Sequence, residues 1–89
     1  MANNTKKKLP AKRLAAEIAG WYGAVAILAA YVLVTFSAIE SSGLAFQLLN
    51  LTGAAGIIVI ASYKKVAQSI VLNIVWGIVA IVAITQIVF

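Results

Sequence analysis

The sequence holds no cysteine and no histidine. That removes disulfides, thiolate nucleophiles, imidazole ligands and histidine-based proton transfer from its chemistry. Acids are scarce too: Glu17 and Glu40 are the only two, and Pro10 is the only proline. Two lone carboxylates far apart give neither paired acids for general acid–base work nor a set of metal ligands. The hydroxyls of Ser37, Ser41, Ser42, Ser62, Ser69 and the threonines lack a nearby base to activate them. No glycine-rich phosphate loop is present. The sequence therefore predicts no catalytic residue, no cofactor and no metal site, and an enzyme is not expected.

What the chain does have is apolar surface. Of its 89 residues 64% are hydrophobic and 10% charged, with a mean hydropathy of +1.07. Ordinary soluble domains run at about 45–50% apolar and about 25% charged. A chain of this length and composition cannot cover itself against water, so lipid has to be its solvent.

Three uncharged runs, 18–39, 41–63 and 66–89, are separated only by Glu40 and by Lys64-Lys65. A bilayer core about 30 Å thick needs roughly 20 apolar residues of helix. Barrel strands would be about 10 residues long and would alternate in polarity, and none of the runs alternates. The expected fold is all-α: an integral membrane bundle of three transmembrane helices over about 16–38, 43–63 and 66–88. Residues 1–12 are read as a flexible basic cytoplasmic tail, and 13–89 as the membrane domain. The first run is longer than the roughly 7–15 residues of a signal-peptide core, so it is expected to stay; cleavage would leave two helices.

Charge sets the direction. The net charge is +5. Lys6, Lys7, Lys8, Lys12 and Arg13 precede the first helix, and Lys64 and Lys65 lie between the second and third. With the N-terminus cytoplasmic, both clusters fall on one side and only Glu40 on the other, a positive-inside pattern. The C-terminus is then outside. These basic residues are expected to contact anionic lipid at the cytoplasmic face, each contributing about 1 kcal/mol. They flank apolar runs instead of forming a face on a soluble fold, so nucleic acid is not an expected partner.

The spans also carry polar and small residues at helical spacing. In the first, Glu17, Trp21, Ala24, Leu28, Tyr31 and Thr35 share a face, with Gly20, Gly23, Ala26 and Ala30 on and beside it. The second places Gln47, Asn50 and Ala54 on one stripe, next to Gly53 and Gly56. The third stacks Ser69, Asn73, Gly77 and Ala80, with Trp76 at the border. Lipid tails are as apolar as leucine, so helices associate there through close approach at small residues and interhelical hydrogen bonds. Gly20, Gly23, Gly53, Gly56 and Gly77 are thus expected at helix contacts, and Gln47 and Asn50 are expected to find partners across them.

At about 1.5 Å per residue, Tyr31 lies roughly 21 Å above the inner face and Asn50 roughly 9 Å below the outer one. Asn73 lies roughly 11–12 Å above the inner face, and Trp76 is close to the midplane. An outer polar layer of Tyr31, Gln47 and Asn50 and a lower layer of Ser69 and Asn73 follow. Tryptophan prefers the membrane interfaces, so a midplane Trp76 needs a partner for its N–H or a cavity. Tyr31, Gln47, Asn50, Asn73 and Trp76 serve either as interhelical contacts or as the lining of a pocket. Glu17, one turn after Arg13, reads as an interfacial ion pair or as a proton-coupling acid.

The stretch AAEIAGWYG resembles the first helix of small multidrug-resistance exporters, whose chains have four spans. Gly20-Trp21-x-Gly23, Ala30-Tyr31, Gln47-Leu48-Leu49-Asn50-Leu51-x-Gly53-Ala54 and Leu72-Asn73-x-x-Trp76 together resemble a family of small bacterial three-helix membrane proteins of unknown function. That resemblance covers about 18–85 and implies three spans in a bacterial cytoplasmic (inner) membrane. The chain is more distantly similar to PQ-loop and SemiSWEET half-transporters, in which an Asn of helix 3, the place of Asn73, and an intramembrane Trp help form a pocket in a dimer. The first span here ends in VTFSAIESS, without their Pro-Gln pair.

Two functions compete on this reading. One is a structural, accessory or oligomerising membrane subunit whose small-residue faces pack within the chain or against a larger complex. The other is a homodimeric half-transporter for a small uncharged solute, lined by Asn50, Asn73, Trp76 and Tyr31. Three helices are expected to fill their own centre, so a permeation path would need at least a homodimer.

Overall fold

A computed structural model describes residues 10–89; Lys6, Lys7 and Lys8 lie outside the described residues. Three helices follow one another: α1 (Ala11–Thr35), α2 (Leu44–Lys64) and α3 (Ala67–Val88). All three are long and apolar enough to cross a membrane. Pro10 stands at the N-cap of α1, where a missing N–H and a fixed φ cost nothing, and its carbonyl accepts from Leu14 N–H at 2.9 Å. Lys12 and Arg13 therefore belong to the first helical turn and not to a tail ending at residue 12. The helix stops at Thr35, short of residue 38. Ser37 turns left-handed (φ 62°), and Ala38 N–H closes on Leu33 carbonyl at 2.8 Å.

The other link is tighter. Lys65 adopts φ 60°, and Val66 N–H donates to Ala61 carbonyl at 2.9 Å, so only Lys65 and Val66 separate α2 from α3. This wrapped helix end satisfies carbonyls that would otherwise be orphaned.

The packing is not a closed bundle. Helix α2 lies against both others, whereas no Cα of α1 comes within 8 Å of one of α3. The expectation that three helices fill their own centre is thus corrected: the helices form an open row with α2 in the middle. The cause lies in the faces of α2. Gly53, Gly56, Ile57 and Ile60 meet α1, whereas Leu51, Ala54 and Ile58 stand on the side of α3. At 3.6 residues per turn these sets are centred roughly 150° apart. A closed triangle would need them near 60°.

The α1–α2 contact is made by backbone. A methyl group on Gly23 would fall on the carbonyl oxygen of Gly53, and one on Gly56 on the carbonyl oxygen of Ala19. A methyl on Gly20 would sit 2.5 Å from Ile60 Cγ2, and on Gly53 2.8 Å from Ile27 Cγ1. Gly77 is different: its nearest neighbour would be Leu51 Cδ1 at 3.9 Å, ordinary contact. The buried face of α1 is Ala16, Gly20, Gly23, Ala26 and Ala30. The neighbouring stripe of Trp21, Ala24, Leu28, Tyr31 and Thr35 is exposed; Trp21 is 70% exposed. Closest approach is decided by side-chain size, and the smallest residues win the interface.

Polar contacts between helices are few. Tyr22 hydroxyl and Thr52 Oγ1 are 2.6 Å apart across α1–α2. At the basic end, Glu17 Oε2 holds Arg13 Nε at 3.4 Å and Lys64 Nζ of α2 at 3.5 Å, and the Arg13 guanidinium lies 5.6 Å over the Tyr63 ring. Glu17 is therefore paired with Arg13 as expected, and with Lys64 besides. Gln47 and Asn50 do not reach across. They donate to Ser41 carbonyl at 3.1 Å and Phe46 carbonyl at 3.0 Å, on their own side of the contact.

Two outcomes follow for detergent unfolding read by circular dichroism. Gly23→Ala and Gly56→Ala force backbone apart and should each cost about 1–3 kcal/mol, while Gly77→Ala should change stability by less than about 1 kcal/mol. A Tyr22→Phe/Thr52→Val double-mutant cycle should return a coupling of about 0.6 kcal/mol and no more than about 1.7.

Candidate functional site

Because α1 and α3 stand apart over α2, the row has two sides. On one, near the Glu40 end, the helices enclose a half-open cleft of about 150 Å³. Helix α1 contributes Ile27 and Tyr31, α2 contributes Phe46, Gln47 and Asn50, and α3 contributes Trp76, Val79 and Ala80. Four of the five sequence-selected polar and aromatic residues thus meet in one cavity. No Lys, Arg, Asp or Glu lines it.

Helix periodicity explains the grouping. Phe46 and Asn50 are one turn apart on α2, and Trp76 and Ala80 are one turn apart on α3, so each pair projects from one stripe. Gln47 gives its Nε2 to Ser41 and Asn50 its Nδ2 to Phe46, which leaves both carboxamide oxygens without a partner among the described residues. The Tyr31 hydroxyl and Trp76 N–H are likewise unpaired among the described residues, with the two residues 59% and 53% exposed. Trp76, placed at mid-span by its sequence, stands at this cavity.

Asn73 is the fifth residue, and it is not in the cleft. It is buried at 7% exposure and donates to Ser69 carbonyl at 2.9 Å and Ser69 Oγ at 3.5 Å. The expected Ser69–Asn73 layer is present as a contact within α3. Asn73 and Trp76 are three positions apart, a rotation of roughly 60° on the helix, which leaves Asn73 buried on the groove side and Trp76 half-exposed at the cleft. A pocket containing both is therefore corrected to one containing Trp76 alone.

The opposite side of the row carries an apolar groove of about 230 Å³ between α2 and α3, where Ala54, Ala55, Gly77 and Asn73 stand among Leu51, Ile58 and isoleucines of α3. Ala55 and Phe46 are nine residues apart, half a turn out of phase on α2. At the far end of the molecule Lys12, Arg13, Lys64 and Lys65 cluster around the α1 start and the α2–α3 turn. Arg13 and Lys64 are paired with Glu17 there.

Sequence reasoning passed over Ile27, Phe46 and Val79, whose apolar side chains carry no signal of a site. It also passed over Tyr22 and Thr52, for which a signal existed: each immediately precedes a glycine of the Gly20/Gly23 and Gly53/Gly56 pairs. The observed register, which opposes those pairs, brings the two hydroxyls together.

The cleft offers hydrogen-bond acceptors, an indole N–H, a phenol and aromatic walls. Such a set can hold a neutral molecule. No match supports the similarity to PQ-loop and SemiSWEET half-transporters. Neither a curated protein nor a solved structure matches the chain. A family model does, over residues 16–89, which takes in all three helices from the second turn of α1 onward. The chain belongs to that family, a protein family of unknown function.

Proposed function

We propose that this chain is a three-span protein of a bacterial cytoplasmic membrane that acts as an oligomerising or accessory subunit, without catalysing a reaction. The observation that carries this reading is the open row. Helix α3 is held along one side only, and its apolar groove with α2 includes Ala54, Ala55 and Gly77 among larger Leu and Ile side chains. Gly77 is buried in ordinary contact with Leu51 Cδ1 at 3.9 Å, a looser fit than that of the glycines locked between α1 and α2. In lipid, exposed small residues are where another helix can approach closely, and Ala55 is exposed in that groove. A second copy or a helix of a larger membrane complex fits that groove.

The orientation proposed is N-terminus in the cytoplasm and C-terminus outside. Its support is the gathering of Lys12, Arg13, Lys64 and Lys65 at one end of the row and Glu40 at the other. Anionic lipid headgroups are the proposed contacts of that basic end. Lys12 and Lys65 are exposed there, and the Glu17 carboxylate offsets only part of the charge of Arg13 and Lys64. A homodimeric half-transporter for a small uncharged solute is the second reading, and the cleft favours it. Its lining would be Tyr31, Gln47, Asn50 and Trp76, without Asn73.

The absence of cysteine makes topology simple to test. In intact cells, Ser42→Cys should react with an impermeant maleimide and Val66→Cys should not; the reverse pattern would invert the orientation. Association is tested by native mass in lipid nanodiscs. The wild type should run as an oligomer or with a bound subunit, and Ala55→Leu, which fills the groove, should release it while leaving helicity unchanged. A wild type that is monomeric and free of any partner would sink the association reading.

A further inference from the structure

The cleft on the other side of the row has an unmet chemical demand. Asn50 lies six residues into α2, roughly 9 Å along the helix, and is half-buried at the cleft. Its Nδ2 is used by Phe46 carbonyl, and its oxygen and that of Gln47 have no donor among the described residues. An unsatisfied amide in an apolar medium costs several kcal/mol. A lipid tail fills volume but brings no donor.

We propose that this cleft is a binding site for a small, uncharged, ring-sized molecule bearing a hydroxyl or N–H donor, reached from the bilayer. Four observations converge. The cavity of about 150 Å³ matches the size of an apolar cavity known to hold benzene. The carboxamide oxygens of Gln47 and Asn50 await a donor. Phe46, Tyr31 and Trp76 supply aromatic walls for a flat or cyclic body. No ionised side chain lines the cleft, so a charged ligand would lose its hydration without compensation. The site goes beyond the association reading and stands without it, because every residue that forms it comes from one chain and the groove lies on the opposite side of α2.

The test uses the full chain in lipid nanodiscs with Trp21→Phe, which leaves Trp76 as the sole indole of the two in the sequence. Cyclohexanol and methylcyclohexane, similar in size but only the first a donor, are titrated while the nitrogen-15 resonances of the Trp76 indole and the Asn50 carboxamide are followed. Saturable shifts of both are expected with cyclohexanol, at an affinity about tenfold above that for methylcyclohexane. Asn50→Leu should erase that difference while leaving helicity and the Tyr22–Thr52 contact intact. Should Asn50→Leu fail to fold, Val79→Phe, which fills the cavity from an exposed position of α3, should abolish binding. Equal affinity for the two rings, unsaturable shifts typical of partition into lipid, or binding that survives Val79→Phe would each overturn the site. So would crosslinks showing that a second copy already covers Trp76.

Discussion

The contact between backbones at Gly23 and Gly53, and at Gly56 and Ala19, governs the rest of the molecule. Where two helices meet at glycines, their axes lie as close as helices can, and everything along them is put in register. The same register sets Tyr22 against Thr52 and brings Glu17 to Lys64. None of these polar contacts is strong enough to dictate the packing; an interhelical hydrogen bond in lipid averages about 0.6 kcal/mol. They report the register that shape has imposed.

That close approach consumes one side of α2 and leaves its opposite side to α3. The two-residue link of Lys65 and Val66 returns the chain at once, so α3 must lie beside α2, and the alanine stripe of Ala54 is the face available. The result is a row with two unlike sides. Where α1 and α3 both lean over the Phe46 and Asn50 side, polar and aromatic groups gather without closing on one another. On the other side Ala54, Ala55 and Gly77, with Leu and Ile around them, line an apolar groove. The two proposals, a ligand in the cleft and a helix in the groove, are consequences of one arrangement and do not compete for surface.

Much of this was legible in the sequence. The three helices follow from uncharged runs long enough to span a bilayer, interrupted only by Glu40 and Lys64-Lys65. Gly20, Gly23, Gly53 and Gly56 were legible as contact residues because lipid leaves helices little but size by which to associate. The gathering of Tyr31, Gln47 and Asn50 was legible from depth, since residues on different helices at one level are the ones able to meet. Asn73 was misplaced for want of one quantity, the rotation of α3 about its own axis, which depth does not contain.

By itself, then, the sequence determined the number of helices, their limits to within a few residues, the end at which basic charge collects and the residues small enough to touch. Those properties are local, fixed by hydropathy, length and side-chain volume along one strand of chain. Only the tertiary structure decided that α1 and α3 stay apart, that Asn73 turns inward to Ser69 and that Trp76 faces a cleft. These depend on the angle between two faces of α2 and on the rotation of each neighbour. A polar residue on an isolated helix is equally well served by its own i−4 carbonyl or by another helix, and only packing chooses between them.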